Sequence, residues 1–353
     1  MSRFLNSKLR SLEAYTPGEQ PQDKKYIKLN TNESPFPPSE KVVSQINREA
    51  VERLRLYCNP DATPLRLALA DTYGVKSENV FITNGSDDIL NFAFLAFGEN
   101  GVAFPDISYG FYSVFSRLHG LNYTEKPLKE DFTIDIRDYF GTNGLVAIAN
   151  PNAPTGIALS LSDIEKIIKE NENGVVLIDE AYVDFGAESA VSLTKKYKNL
   201  LVVMTYSKSR SMAGARLGFA IGDAELISDL ERIKYSTNPY NVNTLTQLLG
   251  VATLEDADYY RENAKKIIEN REYTTSALTS LGFFVLPSKA NFIFAKSDKI
   301  SGKELYLKLK DMGILVRHFN KDRISDFNRI TIGTKEEMTA FISTVSKILN
   351  GEK

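Results

Sequence analysis

The sequence predicts an α/β fold, with a mainly parallel sheet in a large domain followed by a smaller α/β domain. Two observations carry this reading. From about residue 79 to 221, short continuous apolar runs alternate with helical stretches, the pattern of parallel strands buried on both faces. After about residue 240 the texture changes to a long polar helical stretch, then three strands framed by two helices. The expected division is an arm and loop over 1–35, a large domain over 36–245 and a small domain over 246–353.

Composition narrows the class. A chain of 353 residues, 42% apolar and 25% charged, has the make-up of an ordinary globular protein with room for more than one core. Its 43 basic and 45 acidic residues give a net charge of −2, which argues against a nucleic-acid or anionic-membrane surface. Cys58 is the only cysteine, so no internal disulfide or thiolate cluster is possible. With only His119 and His318, a histidine-rich metal site is also excluded. The chain start lacks a signal-like apolar core and no run approaches membrane-spanning length, so a cytoplasmic location is expected.

In chain order, residues 1–30 are polar and turn-rich, an arm expected to be disordered or draped over a neighbour. The loop Leu29–Pro38 is stiffened by prolines, and its Asn32-Glu33 pair stands out. Strands are expected at 79–83, 101–104, 145–149, 174–178, 200–208 and 219–221, with helices over 86–97 and near 109–118. Ser162-Asp163-Ile164-Glu165 reads as a capping box opening a helix over Ile164–Glu170. Further on come a helical stretch from Val242 to Leu281 and strands at 290–295, 313–317 and 329–333. Helices are expected near 303–311 and after the capping box Thr334–Glu337.

Ligands of parallel sheets bind outside the carboxyl ends of the strands, so the residues there matter most. The first strand runs into Gly85-Ser86-Asp87, a turn opening a helix, whose free amides and hydroxyl suit a phosphate as well as an ordinary cap. The second leads to Tyr109, an aromatic for stacking on a planar ring or for rim packing. The third ends in the rigid edge Asn150–Gly156. The fourth ends in Asp179-Glu180-Ala181-Tyr182, where an unpaired carboxylate at the core boundary is costly. A protonated pyridine nitrogen would pair with Asp179; a metal is the rival, but a second ligand is missing nearby. The fifth ends in Ser207-Lys208, followed by Arg216 and lying between two apolar runs. A lysine there needs a partner or a covalent bond, such as a Schiff base with a carbonyl cofactor. Together these strand ends meet the needs of pyridoxal 5'-phosphate: phosphate, ring, ring nitrogen, phenol oxygen and aldehyde.

Over nearly its whole length the chain resembles the fold-type I pyridoxal-phosphate aminotransferases. The resemblance rests on Tyr15–Gln20, Leu29–Phe36, Asn84–Asp87, Asn150–Gly156, Asp179–Tyr182, Ser207-Lys208 with Arg216, and Arg329–Thr334. The two amino-terminal elements narrow it to the branch acting on histidinol phosphate. It implies a seven-stranded sheet, Lys208 as the covalent anchor, Asp179 at the ring nitrogen, Tyr182 at the phenol oxygen and Tyr109 stacked on the ring. The amides of Gly85, Ser86 and Asp87, with Ser207 and Arg216, would bind the cofactor phosphate. Tyr57 of the partner subunit would complete the site in a homodimer. Arg329 would read the substrate α-carboxylate. Tyr15, Asn32 and Arg317 would line the substrate pocket, with Arg317 a candidate for the substrate phosphate. Many relatives carry an asparagine where this chain has Ala153, so either Asn152 turns in toward the phenol oxygen or Tyr182 serves alone.

The implied reaction is reversible transamination between histidinol phosphate and 2-oxoglutarate, yielding glutamate, in histidine biosynthesis. An aromatic amino-acid aminotransferase or a threonine-phosphate decarboxylase are alternatives on the same scaffold. A non-catalytic cofactor-binding protein is the rival from another class. A nucleotide-binding protein is disfavoured, because no Gly-x-Gly-x-x-Gly or Walker loop follows the first strand.

Overall fold

The structure, a computed structural model, describes residues 2–352 apart from positions 11 and 14, so those two positions of the expected arm lie outside the described residues. After a two-residue strand β1 (Ile27–Lys28) come β2 (Val80–Thr83), β3 (Val102–Pro105), β4 (Tyr123–Lys126) and β5 (Leu145–Ala149). They are followed by β6 (Val175–Asp179), β7 (Leu200–Thr205) and β8 (Gly218–Gly222). Strands β2 to β8 form one seven-stranded sheet in the order β2-β8-β7-β6-β5-β3-β4. Only β8 is antiparallel to its neighbours. The continuous apolar runs are explained by burial on both faces. Val146, Ile148, Val176 and Ile178 meet the helices Thr63–Tyr73 and Leu161–Lys169. Leu145, Ala147, Leu177 and Leu201 meet Ser86–Phe97, Phe111–His119 and Ala224–Thr237.

Strand β4 was absent from the sequence reading. Tyr123-Thr124-Glu125-Lys126 is largely exposed and lacks an apolar pattern; it is a strand because it pairs with β3 at the sheet edge. The capping box at Ser162 is also corrected. Ser160 is the N-cap, accepting from the Asp163 amide, and the helix runs over Leu161–Lys169. A start at Ser160 keeps the first turn for Leu161 and puts Asp163 beside the amide end of the helix dipole.

The remaining strands are β9 (Phe283–Val285), β10 (Phe292–Ser297), β11 (Ile314–Leu315), β12 (Arg317–His318) and β13 (Asn328–Thr331). A four-stranded antiparallel sheet runs β12-β13-β10-β9, while β11 pairs in parallel with β1. The single strand expected over 313–317 is therefore split at Val316, since its two halves serve different sheets. The expected helical stretch is also two helices, Thr244–Glu255 and Ala257–Ser280, meeting at Asp256. The second sheet packs on Ala257–Ser280, Gly302–Asp311 and Lys335–Asn350. The capping box at Thr334 is present with both bonds, at 3.2 Å from the Glu337 amide and 2.8 Å to the Glu337 carboxylate. The arm lies against this second unit: Glu19 pairs with Tyr306 and Lys310, and its carbonyl accepts from Asn30 Nδ2 at 2.8 Å.

Candidate active site

The carboxyl ends of β2, β3, β6 and β7 open onto two adjoining cavities of about 370 and 450 Å³. Thr31, Tyr109, Ala153, Tyr182 and Lys208 line both. Strand β7 ends at Thr205, and the turn after it directs Lys208 between the cavities. Lys208 Nζ donates to the Thr31 carbonyl at 3.3 Å and lies 5.8 Å from the Tyr182 ring centroid.

Tyr182 is oriented by Asn32, whose Nδ2 donates to the phenol oxygen at 3.0 Å. Asn32 is in the left-handed region at φ 57°, which asparagine tolerates better than most residues. Three bonds hold it there. Its amide donates to Thr331 Oγ1 at 3.0 Å, Thr331 Oγ1 donates to its Oδ1 at 2.8 Å, and Asn291 Nδ2 donates to its carbonyl at 3.0 Å.

Asp179 is the last residue of β6, and the sheet buries it. Tyr112 donates its hydroxyl to Oδ2 at 3.1 Å, and the Ala181 amide donates to Oδ1 at 3.2 Å. Burial still dominates and pushes the carboxyl up to about 6. A cation in the cavity beside Asp179 would offset burial and favour the ionised form.

At the end of β2, Gly85 caps the helix Ser86–Phe97 without any side-chain cap bond, so the first amides of that helix are open to a ligand. Gly85 has φ 84°, and a Cβ there would come within 2.5 Å of Arg216 Nη2. The positive φ favours glycine, and a side chain there would push the Arg216 guanidinium aside. Asp87 does more than offer an amide. Its Oδ1 accepts from the Tyr109 hydroxyl at 2.8 Å and its Oδ2 from Arg216 Nη2 at 3.0 Å. Ser207 Oγ accepts from Thr205 Oγ1 at 3.0 Å on the same cavity wall.

The other cavity ends in two arginines. The β12–β13 register sets Arg317 directly opposite Arg329. Arg329 Nη2 donates to the Asn30 carbonyl at 2.9 Å, and its guanidinium lies over Phe292 and Phe319. Its Nε is buried without a partner. Arg317 donates to the carbonyls of Thr16 at 3.2 Å and Pro17 at 3.3 Å. Among the described residues no carboxylate pairs with either arginine. Like charges facing each other across a strand pair are unfavourable, and a bound anion relieves this. Tyr15 closes the rim, stacked on Phe111 with centroids 4.2 Å apart.

Two expected site residues do not line the cavities of this chain, Tyr57 being one expected from a partner subunit. Asn152 does not turn in. Its Oδ1 accepts from Ser108, and its Nδ2 donates to the Ile107 carbonyl and Thr155, so the side chain braces its own turn and Ala153 faces the cavities. Tyr57 is 82% exposed, stacked on Tyr240, and outside both cavities of its own chain. Two residues near the chemistry, Tyr112 and Thr31, were not singled out from sequence, and Glu33 stood out only as half of the Asn32-Glu33 pair, with no role given to it. Tyr109 precedes the helix Phe111–His119, and the Tyr112 amide donates to the Tyr109 carbonyl at 3.2 Å; the three-residue spacing of the two tyrosines was the available signal.

Glu180, next to Asp179, faces away from the cavities. Ser189 Oγ and the Ala190 amide each donate to it at 2.6 Å, yet burial pushes its carboxyl up from 4.5 to about 8. Between those values the folded chain holds a proton that the unfolded chain has lost, so folding stability falls as pH rises from about 5 to 8. The loss expected from this group is on the order of 3 kcal/mol. Glu180→Gln should flatten the decline, measured as the melting temperature of the cofactor-free protein at pH 5 and pH 8. Equal slopes in both proteins would assign the decline to another group.

The site thus brings together a lysine and a carboxylate near neighbouring strand ends, a helix start with open amides and a pair of facing arginines. The chain belongs to the class I and II aminotransferase family, whose model matches residues 24–345. It is 52% identical over 352 residues to the histidinol-phosphate aminotransferase of Brachyspira hyodysenteriae, covering 99% of each chain. The histidinol-phosphate aminotransferase of Clostridium botulinum (strain Kyoto) is 49% identical over 352 residues, again 99% of each. Among solved structures, the histidinol-phosphate aminotransferase from Sinorhizobium meliloti, in complex with pyridoxal-5'-phosphate, shares the fold. The TM-score is 0.85 at 23% identity, covering 93% of this chain and 92% of that one. No helix among the described residues is long and apolar enough to cross a membrane.

Proposed function

We propose that the protein transfers the amino group of histidinol phosphate to 2-oxoglutarate, with pyridoxal 5'-phosphate held on Lys208. The observation that carries this reading is Lys208 at the junction of two cavities, one with a phosphate cradle and Asp179, the other with the facing pair Arg317–Arg329. The residues present fit the cofactor. The helix amides at Ser86 and Asp87 are open, a side chain at Gly85 would be strained at its positive φ and would displace Arg216, and Asp179 is a buried carboxylate short of a cation. Ser207, Arg216 and the amides of Gly85, Ser86 and Asp87 would hold its phosphate, Asp179 its ring nitrogen, Tyr182 its phenol oxygen and Tyr109 a ring face. When bound, the cofactor takes the substrate amine covalently and accepts the electron pair left when the Cα–H bond breaks.

The chain's own residues then divide the work. Lys208 Nζ, displaced by the substrate amine, accepts the Cα proton. Asp179 remains ionised opposite the ring cation. Histidinol phosphate carries a phosphoryloxymethyl group on the carbon where glutamate carries its α-carboxylate. Both anions therefore come to the same arginines, whose planar forks suit either. Tyr15 and Asn32 shape the rest of the pocket, and Tyr15 shields it from water at the rim.

The site is proposed to be completed by a second copy of the chain. Exposed apolar side chains, including Val43, Ile46, Leu54 and Leu56, cluster in sequence around the exposed Tyr57. Burial of this patch in a homodimer accounts for it, and Tyr57 of the partner subunit would be lent to the neighbouring cavity.

A spectrophotometric donor screen tests the reading. Histidinol phosphate should bleach the lysine-bound cofactor band, and 2-oxoglutarate should restore it while glutamate accumulates. Bleaching by aromatic amino acids but not by histidinol phosphate would overturn the substrate assignment. Release of carbon dioxide instead of glutamate would indicate a decarboxylase.

A further inference from the structure

One carboxylate beside Lys208 has no part in the chemistry above. Glu33 lines the same cavity as Lys208, and Thr31 links the two. The Thr31 carbonyl accepts from Lys208 Nζ at 3.3 Å, and Thr31 Oγ1 donates to Glu33 Oε2 at 2.7 Å. On its other side Glu33 is held by Lys28, whose Nζ lies 2.6 Å from each carboxylate oxygen. Neither end of this chain is loose. Lys28 belongs to β1, which β11 pins, and Asn32, between Thr31 and Glu33, is fixed by Thr331 and Asn291.

We propose that Glu33 is a positioning residue for the catalytic amine: through Thr31 it fixes the seat of Lys208 and supplies negative charge beside it, while Lys28 sets how much of that charge Lys208 feels. The proposal rests on Lys208 being the cofactor lysine. A nearby carboxylate favours the protonated form of an amine, and a nearby cation opposes it. Glu33 is equipped for this role across the neutral range. Burial raises its carboxyl, but the bonds from Lys28 and Thr31 outweigh burial and hold it below the ordinary carboxylate value. Several other groups face Lys208. They are Asp179 and Tyr182 at the end of β6, Asp87 and Tyr109 at the cradle, Arg216 on the loop after β7, and Arg317 and Arg329 on the second sheet. All are unchanged in variants of Lys28 and Glu33, so a shift on substitution reports this pair.

The test uses Glu33→Gln, Lys28→Met and the double variant, each checked for folding by its melting curve. In the loaded protein, the absorbance of the lysine-bound cofactor is titrated against pH. In the cofactor-free protein, trinitrobenzenesulfonate labelling of Lys208 is followed against pH by peptide mapping. Glu33→Gln should lower the apparent pKa of Lys208 and of its cofactor bond by roughly 0.5–1 unit. Lys28→Met should raise both by a similar amount, and the double variant should return close to wild type. Should Glu33→Gln fail to fold, the direction of the Lys28→Met shift decides. Absence of any shift, or shifts of the same sign in both single variants, overturns the proposal. A cofactor band that survives in Lys208→Ala overturns the cofactor assignment instead, and the labelling of the cofactor-free protein then decides the role of Glu33 alone.

Discussion

Lys208→Ala is expected to lose transamination outright, with turnover down by at least roughly 10⁴-fold. Among the described residues the only other lysine on either cavity wall is Lys321, and its Nζ is engaged with the Asp106 carbonyl at 2.5 Å. No neighbour is placed to replace the missing amine as covalent anchor or as proton carrier. The fold should survive, because Lys208 contributes one 3.3 Å bond from a half-buried side chain, and stability should change by no more than about 1 kcal/mol. Two measurements check this: borohydride trapping of the cofactor on the protein, and melting curves. Cofactor trapped on the variant would mean that another lysine is the anchor. Loss of the fold would mean that Lys208 is structural.

Arg329→Met should separate function from stability. With its Nε buried and unpartnered, Arg329 is the better prepared of the two arginines to take an anion. Losing a charge-assisted, partly buried contact should lower kcat/KM for the phosphate donor by roughly 10²–10³-fold, mostly through KM. Stability should hold or rise. Burial works against the charged guanidinium, and removing it also relieves the repulsion from Arg317 across the strand pair. The bond to the Asn30 carbonyl is the only hydrogen bond given up to a described residue. Steady-state kinetics and a thermal melt on one preparation decide the matter. A melting temperature lowered by several degrees with kinetics intact would make Arg329 a brace for the Asn30 loop.

The parts of this molecule that were readable in its sequence share a physical cause. Strands buried on both faces must be continuously apolar, so a charged residue at the end of one or shortly beyond it, such as Asp179 or Lys208, is conspicuous. The Gly85 turn and the Thr334 cap were readable because their backbone geometry restricts which residues can stand there. What was hidden depends on side-chain direction or on pairing with distant segments. Asn152 and Ala153 are adjacent, and nothing in their order tells which one faces the cavity. Tyr112 looks like one more core aromatic until its hydroxyl is found on Asp179. Strand β4 is polar and exists through its partner, and the helix cap at Ser160 competed with an equally plausible Ser162. The opposition of Arg317 and Arg329 depends on strand register, which their separation along the chain does not reveal.

That register has a wider consequence. Under the proposed assignment the bond-breaking groups hang from the ends of the large parallel sheet, whereas the anion-reading groups ride on the hairpin-like pairing of β12 with β13 in the other. On that assignment recognition and reactivity are borne by different sheets and meet at the loop 30–32, which Arg329 and Thr331 hold on one side and Lys208 and Tyr182 touch on the other. Exchanging the two facing residues is expected to change which donor is preferred, while Asp179 keeps its bonds from Tyr112 and the Ala181 amide.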